Sequence, residues 1–137
     1  MKKFILLALI SSSAILSSAK AESKADYKGN LTCKSIQADY SGTNYDVQIL
    51  QSDINGDRTA QISWIHGTKI YHTQTFSFAS HLDSPKATVE KFTFTDGAGE
   101  SQLAIFKTPY SWLGKTYYSA NLSGPLFNKG INLSCAK

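Results

Sequence analysis

Three histidines, ten acidic residues and two cysteines are the side chains of this chain best suited to chemistry. His66, His72 and His81 stand six and nine positions apart. A zinc site needs three or four convergent ligands, usually closely spaced, and these show no such pattern. Surface or turn histidines are the simpler reading, and no metal site is expected. Asp53-Ile54-Asn55-Gly56-Asp57 sets oxygen-bearing side chains where a calcium loop begins. Such a loop goes on to a glycine at its sixth position and a bidentate acid at its twelfth. Arg58 and Trp64 stand there instead. The same five residues suit a hairpin turn, because Asp and Asn tolerate its backbone angles.

Nucleophilic catalysis fares no better. There is no Gly-x-Ser-x-Gly elbow, and neither cysteine has a neighbouring His or basic cluster to activate a thiolate. The acids fall mostly in turns or on outward positions of alternating segments. Glu90 and Glu100 flank one expected hairpin, which does not make the facing carboxylate pair of a glycoside hydrolase. No glycine loop has the spacing that cradles phosphate. No catalytic residue and no cofactor are expected.

Cys33 and Cys135, 102 positions apart, read as a disulfide. A lone pair is expected to bridge in an oxidising compartment. Residues 1–21 supply the route to one. Lys2 and Lys3 precede an apolar stretch from Phe4 to Leu16, and Ala19-Lys20-Ala21 fits the small-x-small cleavage rule. Cleavage after Ala21 starts the mature chain at Glu22, and Ser17-Ser18-Ala19 offers a cut two residues earlier. The expected location is the periplasm or the medium, with no membrane span after leader removal. Asn30, Asn121 and Asn132 head glycosylation sequons that would stay bare in a bacterial periplasm.

The leader also changes the charge. The chain carries 14 Lys+Arg against 10 Asp+Glu. Lys2, Lys3 and Lys20 go with the leader, so 11 cations face the 10 anions. A near-neutral mature chain lacks the electrostatic footprint of a nucleic-acid binder.

The elements that must position any site are strands. Runs of Thr, Ile, Val, Tyr, Phe and Trp in residues 22–137 are broken every eight to twelve residues by turn signals. That is the mark of a sandwich or barrel. Tyr45, Val47 and Ile49 alternate with polar neighbours up to Asn55-Gly56, a type I′ signal. A two-residue turn there pairs Ile49 with Ile62 and Val47 with Trp64. The first strand opens at Leu31 and runs on toward Tyr40. In the stretch 70–79 the alternation falters, as a bulge would cause. Residues 80–86 read as a loop with a weak capping box from Ser80 to Asp83. Residues 108–114 read as an aromatic loop. Eight strands, with the first and last joined by the disulfide, suggest an all-β antiparallel meander barrel; a two-sheet sandwich is the alternative.

Most of the aromatics belong to these strands. Tyr110, Trp112 and Leu113 follow Pro109, and Leu126 and Phe127 follow Pro125, outside any clean strand. Large apolar side chains on loops either plug a barrel end or form a contact surface. The five are the candidate partner-binding residues. The expected function is an exported, non-catalytic binding module for a protein or glycan, one version being an inhibitor of an envelope or extracellular hydrolase. A carrier with a small apolar ligand in the barrel, and a small secreted hydrolase, are the alternatives.

Overall fold

The computed structural model describes residues 30–52, 56–83, 88–127 and 129–137. The expected leader and its expected cleavage site, together with Asp53 and Asn55, lie outside them. Among the described residues nine strands follow in order: β1 (Leu31–Ser35), β2 (Thr43–Gln51), β3 (Arg58–His66), β4 (Lys69–Asp83), β5 (Thr88–Asp96), β6 (Gly99–Phe106), β7 (Tyr110–Trp112), β8 (Lys115–Ser123) and β9 (Ile131–Ala136). Neighbours in sequence pair antiparallel except β6 and β7, β1 pairs with β9, and β6 pairs with β8. Eight strands thus close a meander barrel, and β7 adds a short flap to the edge of β8. Closure pairs β1 with β9 and β6 with β8, so neither end of the sheet is left as a free edge strand of the wall. Among the described residues no helix is long and apolar enough to cross a membrane.

Period-two burial drives this arrangement. Thr43, Tyr45, Val47 and Ile49 are buried along β2, as are Ala60, Ile62 and Trp64 along β3. Their register differs from the two-residue turn. Val47 faces Ile62 and Ile49 faces Ala60, a slip of two residues. The slip keeps every side chain on its expected face, because the side-chain period is two. The cause is a longer loop: Ser52 N–H donates to the Asp57 carbonyl and Gly56 N–H to the Ser52 carbonyl. Gly56 has φ +73° and open space around its missing side chain. Gly56→Val should therefore cost about 1–3 kcal/mol in urea denaturation through backbone strain alone.

Three further expectations are corrected. β1 ends at Ser35, and residues 36–42 form a connection. β4 runs through 80–83, where a loop was expected. It reaches that length through two bulges. Tyr71 is the extra residue opposite β3, and Ala79 the extra residue opposite β5. Each bulge resets the alternation and bends the strand, as barrel closure needs. The stretch 108–114 is not a loop throughout, since Tyr110–Trp112 pair with Lys115–Tyr117. Between Ile105↔Ala120 and Tyr110↔Tyr117, the β6–β7 side carries two residues more than β8. Pro109, with no N–H for a ladder, falls in that break.

The interior is filled by side chains. Phe76, Phe92, Leu31, Ile49, Ile62, Leu103, Ile105, Leu122 and Leu133 are its largest fully buried members. Cys33 sits directly opposite Cys135, with α-carbons 3.9 Å apart, and the two form the disulfide in the core. At the upper rim, where β1 meets β2 and β8 meets β9, Trp64 and Phe127 stack at 5.5 Å. Tyr45 packs edge-on against both. Its hydroxyl donates to Asp39 at 2.8 Å. Burial pushes Tyr45 above the usual phenol range, with help from the Asp39 charge.

Burial alone would raise Asp39, but hydrogen bonds from Ser41, Thr43 and Tyr45 outweigh it and hold the carboxyl below its ordinary 3.8. A depressed carboxyl contributes stability that is whole above its unfolded value and lost as pH falls through the folded one. Urea denaturation between pH 7 and 3 should show wild type losing stability below about pH 4. Asp39→Asn should flatten part of that loss.

Candidate functional site

Two features stand at the lower rim, where β2 meets β3 and β6 leaves the wall. The first is the β7–β8 hairpin. Tyr110 and Trp112 share the outward face of β8's partners, because Tyr118, Ala120 and Leu122 point inward. Tyr110 stacks on Tyr117 at 5.7 Å, and its hydroxyl lies 2.8 Å from Ser134 Oγ. These contacts fix the base of the hairpin to β8 and β9. The tip is bare: Trp112 is 64% exposed and Leu113 86%. Lys34, Lys115 and Lys137 line a groove beside Tyr117.

The tip is also strained. Leu113 has φ +50° and Gly114 φ +77°, the two positive angles of a type I′ turn. Leucine at positive φ costs roughly 1–2 kcal/mol, and Asn is the residue that usually takes this place. Leu113→Asn should therefore raise stability by about 1 kcal/mol in thermal or urea denaturation.

The second feature is the barrel mouth. Arg58 Nε and Nη2 donate to the two oxygens of Glu90, each at 3.1 Å, and Nη1 donates to Gln51 Oε1 at 3.1 Å. Glu90 is buried almost wholly, and Arg58 is partly buried. His81 faces Glu90 in register, and its Nδ1 lies 3.2 Å from Lys107 Nζ. Phe78 lines the same opening and packs edge-on against core Phe92.

No family model, curated protein or solved structure matches the chain. The site therefore stands on its own geometry.

The five candidate binding residues divide between the two ends. Tyr110, Trp112 and Leu113 are exposed at the lower rim, and Phe127 is buried in the upper aromatic stack, with Leu126 packed against the core. The histidines are also dispersed. His66 lies beside Gly42, His72 packs on Trp64, and His81 sits at the mouth. Among the described residues no three His, Cys, Asp or Glu side chains gather.

Glu90 is an exception to the expectation that acids mostly lie in turns or outward, being buried at the mouth. Its signal was present, because it alternates in phase with Phe92 and Phe94. An outer apolar row was missed as well: Leu82, Val89 and Phe106 stand opposite one another across β4, β5 and β6. Phe106 and Leu82 are exposed there.

Proposed function

We propose that this chain is an exported, non-catalytic binding module whose β7–β8 hairpin enters the cleft of an envelope or extracellular hydrolase. The observation that carries this is Leu113. A large apolar side chain sits almost fully exposed at a backbone position that disfavours it. Strain of that kind is kept where the side chain has a use, and it points from structure to function. Trp112 and Tyr110 add area at low entropy cost. A projecting tip complements a concavity, and hydrolase sites are clefts. The lysines beside the hairpin suit a cleft lined by carboxylates, such as the paired acids of glycoside hydrolysis.

Localisation belongs to the same proposal. The disulfide is compatible with an oxidising, extracellular location, and residues 1–21 have the makings of an export signal. The packed interior weighs against a carrier, since small barrels with filled cores offer no chamber. The test is affinity capture from the exported-protein fraction of the source cell. Trp112→Ala should change stability by no more than about 0.5 kcal/mol, as surface substitutions do. It should weaken capture of a hydrolase by about thirtyfold or more, as loss of an aromatic anchor does. Undiminished capture removes the hairpin from recognition.

A further inference from the structure

The barrel closes its two ends by opposite means. The upper end is sealed by the apolar Trp64–Phe127 stack. The lower end has an ion pair for a floor, with a cavity of about 750 Å³ above it. An apolar plug would close that end without the desolvation cost of burying Arg58 and Glu90. A polar floor under an open cavity is the construction of a binding site, and the volume lies in the range of small-ligand pockets, roughly 300–1,000 Å³.

The lining says what kind of ligand. Among the described lining residues, Arg58 and Lys107 are matched by Asp57 and Glu90, so the formal charges cancel. Such a pocket presents no net charge to an anion or a cation. It does offer both hydrogen-bonding roles. Each Glu90 oxygen accepts one bond from Arg58, about half of what a carboxylate can accept. Gln51 and Lys107 stand at the rim of the same floor. Phe78, 45% exposed and held from behind by Phe92, supplies one flat apolar wall. Hydroxyls that both donate and accept, on a ring with an apolar face, match all three properties. We infer that the mouth binds a neutral saccharide, with hydroxyls toward Glu90 and Gln51 and a ring face against Phe78. The described lining residues include none of the β7–β8 hairpin, so this site is separate from it.

Amide NMR spectra of the mature, oxidised chain test it, with glucose, N-acetylglucosamine and cellobiose as probes at millimolar concentration. Sodium acetate and ammonium chloride serve as the charged comparisons. At least one saccharide should shift the Thr59, Ser77, Phe78 and His81 amides saturably. Phe78→Ala should weaken that binding about tenfold, as loss of an aromatic contact worth about a kcal/mol implies. Gln51→Ala, at the exposed end of β2, should weaken it in the same direction, and Trp112→Ala should leave it unchanged. No saturable shift with any of the three saccharides overturns the inference. So does saturation by acetate or ammonium alone, or saccharide binding that survives both pocket substitutions.

Discussion

Replacing Cys33 and Cys135 together by alanine will lower the stability of the oxidised barrel by about 4–5 kcal/mol. The pair closes a loop of 102 positions. In the chain-entropy account, a cross-link of that span restricts the unfolded ensemble by about this much. The sulfurs are also fully buried between Leu31 on β1 and Leu133 on β9. The first and last strands are the seam of the barrel, and no loop joins them directly. In the doubly substituted chain, only their ladder and packing hold the seam shut. Urea denaturation of the two proteins measures the difference, and intact mass after alkylation of native protein checks the bond. A loss below about 1 kcal/mol would mean that the ladder alone sets the seam.

Arg58→Ala will cost about 3–5 kcal/mol, because it leaves the Glu90 carboxylate buried without its bidentate partner. The cost belongs to the orphaned charge, not to a large net gain from the pair. Removing both charges should therefore restore most of the loss. The combination Arg58→Met with Glu90→Leu should be no less stable than Arg58→Ala, and should approach wild type. Denaturant midpoints of wild type, Arg58→Met, Glu90→Leu and the pair make a complete cycle. A loss under about 1 kcal/mol for Arg58→Ala would show that water at the mouth solvates Glu90.

Much of this architecture is legible in the sequence. The alternation of Tyr45, Val47 and Ile49 marked the buried face of β2, and the lone cysteine pair marked the closing seam. The register error has a simple cause. Alternation fixes faces, but it is indifferent to a shift of two residues. The β2–β3 register therefore slipped while every face stayed right. Bulges leave a trace, since one extra residue breaks the alternation of 70–79, but only pairing places the extra residues at Tyr71 and Ala79. The hairpin of β7 was legible in principle, since Tyr110-Ser111-Trp112 alternates and Gly114 sits where a tight turn needs it. Pro109 masks it, because a residue with no N–H for a ladder reads as a loop signal. The mouth was the least legible part. Arg58, Gln51, His81 and Lys107 come from four different strands or their ends, and only closure of the barrel brings them around Glu90.

The claim that the β7–β8 hairpin is the recognition element is tested most directly by site-specific photo-cross-linking. A photoreactive residue at Lys115, the register partner of Trp112, would sit beside the tip. One at Gln61, exposed on β3, would sit on the far side of the barrel. The account predicts that, in the exported-protein fraction, Lys115 cross-links to a hydrolase and Gln61 does not. It also predicts that Leu113→Asn abolishes the cross-link in a protein at least as stable as wild type. A partner captured equally from both positions, or from Gln61 alone, would contradict it, as would a cross-link from Lys115 that Leu113→Asn leaves intact.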